Sequence, residues 1–221
     1  MRAPCPGPRF DAVELRERAR TRLHRAAPAE ASDLTLTAPR GDDDLNVHLP
    51  ASGAAGPGRA AAVLVPLVRR EMELTVLLTL RSDHLPSHGG QIAFPGGKID
   101  EVDDGPLEAA LREAHEETGL DPRLVEPLGY LDVYQTRTGF RIIPVVGLVD
   151  PSAQFSPGAG EVADVFEVPL SFLMDPLHHL QESRLWQGVE RRFYVMAYGE
   201  RYIWGATAGM LRNLYDRLYA R

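Results

Sequence analysis

Gly96-Gly97-Lys98-Ile99-Asp100-Glu101-Val102-Asp103-Asp104-Gly105-Pro106-Leu107-Glu108-Ala109-Ala110-Leu111-Arg112-Glu113-Ala114-His115-Glu116-Glu117-Thr118-Gly119 is the stretch on which the reading of this chain turns. Gly105-Pro106 predicts a helix start, because proline suits the first helical position, and Gly119 predicts its stop. Between them Leu107, Ala110, Leu111 and Ala114 recur at i, i+3, i+4 and i+7, the spacing of one buried stripe. Glu113, Glu116 and Glu117 are spaced i, i+3, i+4, so at about 100° per residue they share one narrow arc beside that stripe. Like charges at this spacing cost a helix about 0.2–0.5 kcal/mol per pair. A divalent cation among them removes the repulsion, and hard oxygen donors point to Mg²⁺ or Mn²⁺ rather than zinc.

The charge of the whole chain concentrates in the same place. Its 24 Lys+Arg and 31 Asp+Glu give a net charge of -7. Lys98 to Glu117 holds eight acids against Lys98 and Arg112, which accounts for all but one of those charges. An acidic balance argues against a nucleic-acid-coating protein. With 221 residues, 44% hydrophobic and 25% charged, the chain reads as one globular domain with an extension. A single cysteine, Cys5, excludes an internal disulfide framework and a cysteine-built zinc site, and suits a reducing compartment. The longest apolar run, Ala60 to Val68, includes Pro66 and is too short to span a bilayer. No apolar segment follows Arg2, so no secretory signal is visible and the expected location is cytoplasmic, with no membrane partner.

Outward from the acidic segment, residues 11–27 are expected to be helical, with Val13, Leu15 and Leu23 as sparse apolar anchors and Pro28 as the stop. The signal is weak from Ala29 to Arg59, and Pro50 to Arg59 reads as a flexible connection. The expected division is a helical extension and flexible connection over 1–59 and the core domain over 60–221. Ala60–Val68 and Glu73–Thr79 read as a hairpin-like pair of strands. Further strands are expected at Leu124–Val133, Phe140–Val149, Val162–Val168 and Arg192–Tyr198, and a terminal helix at Thr207–Leu218. Strands followed by helices at two points predict a mixed α/β sandwich.

Arg112-Glu113-Ala114-His115-Glu116-Glu117-Thr118-Gly119-Leu120 resembles the REUxEExGU half of the Nudix box, with Ala114 at the first aliphatic position. The upstream half departs from strict spacing: Lys98 stands where the box has Gly, Gly97 lies one residue early, and Asp104 stands where the box has Glu. Leu77-Leu78-Thr79-Leu80-Arg81-Ser82, Gly90 and Phe94-Pro95-Gly96-Gly97 are similar to the LLTxRS…G…FPGG signature of the coenzyme A diphosphatase branch, with Pro86 where that signature has Arg. Ile203-Trp204-Gly205-Ala206-Thr207-Ala208 also looks like the branch's entry into its terminal helix. The similarity covers roughly residues 60–215.

The resemblance implies an α/β fold, the Nudix-type α/β/α sandwich with a mixed β-sheet. It implies Mg²⁺ or Mn²⁺ held by Glu113 and Glu117, with Glu116 sharing the metal or bridging through water, and the Gly97 carbonyl completing the shell. Arg112 would orient the carboxylates, and Glu161 is the candidate general base from outside the box. Arg81, His88, Gly96 and Lys98 are the candidate substrate contacts. The implied reaction is attack on the diphosphate of coenzyme A or its thioesters, and many proteins of the fold pair as homodimers. Another nucleoside diphosphate derivative such as ADP-ribose or a dinucleotide is the alternative substrate. A catalytically dead sensing module is a lesser one, since such modules generally lose the box carboxylates that this chain keeps.

Other signals carry less. Asp100 to Gly105 fails as a calcium loop, because Val102 and Leu111 occupy ligand positions. Gly97-Lys98 fails as a phosphate-binding Walker loop, because Ile92 and Ile99 replace its Gly and Ser/Thr. His178-His179 reads as a surface or loop pair, His115 as helix surface, and Trp186 and Trp204 as packing residues.

Overall fold

The computed structural model of the chain describes residues 10–33, 35–49, 58–85, 89–158, 160–186 and 188–220; Cys5, Pro86 and His88 lie outside them. In chain order the elements are α1 (Ala12–Arg22), β1 (Arg40–Gly41), β2 (Arg59–Arg69), β3 (Leu74–Arg81), β4 (Ile92–Ala93), β5 (Gly96–Lys98), α2 (Pro106–Thr118), β6 (Val125–Tyr130), β7 (Tyr134–Gln135) and β8 (Phe140–Val149). They continue with β9 (Val162–Pro169), α3 (Leu170–Leu173), β10 (Leu180–Trp186), β11 (Val189–Tyr198), β12 (Arg201–Trp204) and α4 (Gly205–Leu218). No helix among the described residues is long and apolar enough to cross a membrane.

The main sheet is organised by β2. All residues from Ala61 to Val68 are buried, as expected of a strand covered on both faces. Along one edge β2 runs parallel to β8, from Arg59 opposite Phe140 to Val68 opposite Val149. Along the other edge it changes partner: Ala61–Val63 pair with β5, and Leu67–Arg69 pair antiparallel with β3. Pro66 sits beside this change. Leu64, two residues earlier, donates its N–H to the Pro95 carbonyl at 2.9 Å on that edge. The N–H that Pro66 lacks would therefore face the gap between β5 and β3, not β8, which is why a central strand tolerates it.

The strand order is β1-β7-β8-β2-β3-β4, with β6 also on β8 and β9 also on β3. Parallel pairs (β2–β8, β1–β7) stand among antiparallel ones, so the sheet is mixed. Side chains alternate across it. Ala62, Leu64 and Val68 pack with Ala109, Ala110 and Ala114 of α2 on one face. Val63, Val65 and Leu67 pack with Leu15 of α1 and Met210, Leu211 and Leu214 of α4 on the other. The result is the expected α/β/α sandwich. A separate antiparallel sheet, β10-β11-β12, leads into α4.

Local differences from the sequence reading have physical causes. The first helix ends at Arg22, not near Ala27, because Leu23 is extended and His24 exchanges backbone hydrogen bonds with Tyr130 at 3.0 and 2.8 Å. Leu15 and Leu23 are buried, but Val13 is 66% exposed. The strand β10 went unread because Leu180-Gln181-Glu182-Ser183-Arg184-Leu185-Trp186 has no alternation and every residue is exposed.

The ends of α1 and α4 are clamped by charge. Arg18 donates to the Leu218 carbonyl at 2.6 Å, and Arg22 to the Ala220 carbonyl at 3.2 Å. Beside them Asp132 accepts from Asn213 at 2.8 Å, from Arg217 Nε at 3.0 Å and from the other arm of the Arg217 fork. His24 Nε2 stands 2.9 Å from it. Burial pushes the Asp132 carboxyl up, but the Arg217, His24 and Asn213 contacts outweigh it and hold the group well below the usual carboxylate range. A depressed carboxylate stabilises the fold above its unfolded value of about 3.9 and loses that contribution as pH falls toward its folded value. Asp132→Asn is therefore expected to cost on the order of 3 kcal/mol at neutral pH. Urea denaturation should show the wild type losing that increment below about pH 4, with no matching loss in the variant.

Candidate active site

The site forms where β5 is pressed between β2 and α2. Gly96 has φ +156°, and a Cβ there would come 2.6 Å from the Val63 Cα. A Cβ on Gly97 would sit 2.5 Å from the Glu113 carboxyl group. At Gly96 the obstacle is β2 backbone, which only glycine accommodates, whereas at Gly97 it is the end of the Glu113 side chain, which a methyl group would have to push aside. The helix itself begins at Pro106 and ends at Gly119, whose φ of +69° is the left-handed cap read from the sequence.

Glu117 is the inward member of the acidic arc, 8% exposed. Its Oε2 accepts the Gly96 N–H at 3.1 Å, and Arg81 NH1 stands 3.8 Å from its Oε1. Burial pushes its carboxyl up to about 7, against the lowering effect of the Gly96 N–H and Arg81 and with the help of Glu113 and Glu161. Glu113 is also raised by burial, although Arg112 donates to it at 2.9 Å. Glu116 points outward with its side chain 59% exposed, 3.6 Å from Arg112.

Arg112 is fixed from several sides. Its Nε and NH2 clasp Asp103 at 3.0 Å each, and NH2 also donates to the Lys98 carbonyl at 3.2 Å. Those bonds raise the Arg112 pKa further above its ordinary value, so it stays charged beside Glu113. Asp103 was counted in the acidic segment but given no part in the site. Its contact spans nine positions and a loop, a distance at which helical spacing gives no signal.

The structure brings Arg81, Gly96, Gly97, Arg112, Glu113 and Glu117 together. Glu161 lies at the rim, its side chain 3.9 Å from Arg81 NH2. Arg81 Nε is buried with no hydrogen-bond partner among the described residues, an unmet donor beside Glu117. Lys98 is exposed on β5. His88 lies outside the described residues. His178 and His179 bond the Phe172 and Leu173 carbonyls and take no part.

Among the described residues no group of three His, Cys, Asp or Glu is placed to hold a metal ion. The donors present nevertheless suit Mg²⁺ or Mn²⁺. Mg²⁺ binds through one or two carboxylates, several waters and substrate phosphates rather than an all-protein cage. Glu113, Glu117 and the adjacent β5 backbone are oxygen donors of that kind, and the raised Glu117 carboxyl is one that a cation would ionise.

The NUDIX domain family matches residues 58–187. The chain belongs to the Nudix hydrolase family. It is 44% identical over 158 residues to an "Uncharacterized Nudix hydrolase NudL" of Enterobacter sp. (strain 638), covering 71% of this chain and 81% of the relative. The protein of the same description from Escherichia coli (strain K12) is 42% identical over the same shares. Among solved structures, a MutT/nudix family protein from Enterococcus faecalis superposes with a TM-score of 0.48 at 17% identity, covering 76% of this chain and 64% of that one. The NUDIX domain of Shewanella oneidensis NrtR complexed with ADP ribose gives 0.42 at 24% identity, covering 58% and 82%.

Gly97→Ala tests the close approach. The added methyl must displace the Glu113 carboxylate, and a displacement near 1 Å can cost about 100-fold in rate. Hydrolysis should fall by that order while circular dichroism and melting temperature stay near wild type.

Proposed function

We propose that this chain hydrolyses the diphosphate bond of coenzyme A or its thioesters, releasing 3′,5′-ADP and 4′-phosphopantetheine or its acylated form. The observation that carries the reading is the position of Arg81. It belongs to the Leu77–Ser82 part of the coenzyme A-type signature, at the end of β3, and stands within 4 Å of both Glu117 and Glu161. Phe94–Gly97, the other part, delivers the Gly96 N–H to Glu117. Two separated pieces of one substrate-class signature thus meet at the carboxylates. The working assembly is read as a homodimer, as in many proteins of the fold.

A diphosphate brings negative charge toward an acidic helix, so the residues must divide the work. Glu113 and Glu117 would hold Mg²⁺ or Mn²⁺, with Glu116 bound through water and the Gly97 carbonyl contributing. A divalent metal held there would supply positive charge to the phosphate oxygens and make the attacking water easier to deprotonate. Arg112, locked by Asp103, keeps Glu113 oriented. Arg81 offers its free Nε–H to a phosphate oxygen, and the exposed Lys98 meets the nucleotide's outer phosphates. Glu161 accepts the proton of the attacking water. The Gly96 N–H holds Glu117 in place.

A panel of coenzyme A, acyl-coenzyme A, ADP-ribose and dinucleoside polyphosphates with Mg²⁺ or Mn²⁺, read by identifying both products, tests the reading. Coenzyme A should yield 3′,5′-ADP, and Glu117→Gln should abolish turnover while leaving the fold intact. Turnover of ADP-ribose about tenfold faster than coenzyme A would remove the substrate assignment. Full activity in Glu117→Gln would remove the metal assignment.

A further inference from the structure

β10 is a sheet edge whose only protecting device among its described residues is one pair of opposite charges, Glu182 and Arg184. It pairs with β11 in an unbroken register from Leu180 opposite Val195 to Trp186 opposite Val189. Its other edge is unpaired among the described residues. Proteins usually blunt such an edge with proline, lysine, a bulge or a very short strand. β10 has seven residues, no proline, no lysine and no bulge. Along it Leu180 is 51%, Leu185 77% and Trp186 60% exposed.

We propose that β10 pairs antiparallel with β10 of a second copy of this chain, centred on Ser183, to form a continuous six-stranded sheet across a two-fold axis. The argument is one of register. In an antiparallel pair, residues directly opposite each other point to the same face. A two-fold perpendicular to the sheet keeps each residue on its own face, so it must pass a residue that faces itself. Only Glu182, Ser183 and Arg184 can be that centre while keeping at least five of the seven strand residues paired. Centring on Glu182 sets glutamate against glutamate, and centring on Arg184 sets arginine against arginine, both destabilising.

Centring on Ser183 does the opposite. It sets Glu182 against Arg184 of the second copy twice, once on each side of the axis, and Leu180 against Trp186 twice. All seven residues are then paired. The result is the self-complementary patch that a two-fold interface requires. The charges are already ordered on one face. Glu182 accepts the Tyr202 hydroxyl at 2.6 Å, and the Arg184 guanidinium lies 5.2–5.7 Å from the ring centroids of Phe193, Tyr202 and Trp204. The Tyr202 hydroxyl stands between them, donating to Glu182 and lying 3.5 Å from Arg184 NH2.

This deepens the homodimer part of the proposed function and is independent of its substrate. The sharpest test is a cysteine at the axis. In a Cys5→Ser background, Ser183→Cys places two thiols on directly opposed residues, where Cα atoms are about 4.5–5.5 Å apart, within disulfide range. Gln181→Cys places its two copies four residues apart, about 13 Å, out of range. Mild oxidation should convert the Ser183→Cys protein to a covalent dimer on a non-reducing gel and leave the Gln181→Cys protein as single chains. In sedimentation equilibrium Glu182→Arg should weaken association roughly tenfold, and the swap Glu182→Arg with Arg184→Glu should restore it. A native dimer without the Ser183→Cys cross-link overturns this surface and spares the homodimer reading. A chain that stays single at every concentration overturns both. Neither result bears on the substrate panel.

Discussion

The backbone of β5 lies against β2 on one side and the Glu113 carboxylate on the other, and the geometry of the site follows from that closeness. A methyl group on Gly97 would occupy the place of the Glu113 carboxyl group, and one on Gly96 would strike the backbone of β2. Because β2 is buried on both faces and held along its length by β8, it cannot recede to make space. Gly96 therefore seats β5 against the rigid central strand, and Gly97 sets it beside the Glu113 carboxylate. The change of partner along β2, from β5 to β3, makes this possible. It lets β5 leave the sheet beside the helix while β3 continues to Arg81.

Electrostatics acts within that frame. A helix with three clustered glutamates is held in a partly buried position at a cost, and the neighbouring groups show where the cost is offset. Arg112 is clasped by Asp103 and turned toward Glu113. Glu117 takes one backbone N–H and remains easily protonated, because burial outweighs that single bond and a distant arginine. Glu116, facing water, carries little of the burden. One arc of like charges is thus resolved into three different environments by how deeply each side chain sits.

The helix and the acids were legible because they obey local rules. Gly105-Pro106 and Gly119 bound α2 as read, and Phe140–Val149 is β8 to the residue, since a long apolar run in a central strand has few alternatives. What was not legible depends on contacts distant in sequence or carried by backbone alone. The early end of α1 is set by a backbone bridge between His24 and Tyr130, and the role of Asp103 by a contact across a loop. β10 was invisible because every one of its residues is exposed and no buried face imposes alternation on it, and its pairing is a matter of main-chain hydrogen bonds. Within the acidic arc, helical spacing showed that the three glutamates are neighbours. Measured from the buried stripe, the same spacing turns Glu117, i+3 from Ala114 and i+7 from Ala110, inward and Glu116 outward; what it does not express is how closely the backbone of β5 approaches them.

The clamp between α1 and α4 also has a consequence in time. Arg18 and the Leu218 carbonyl it binds are separated by 200 positions. During synthesis at roughly 5–20 residues per second, the first helix therefore waits on the order of tens of seconds for its partner. Through that interval the apolar side of Leu15, Ala19 and Leu23 has no α4 to cover it. α1 is thus made long before the helix that encloses it, and a nascent chain with that face open is the form most exposed to chaperones and proteases.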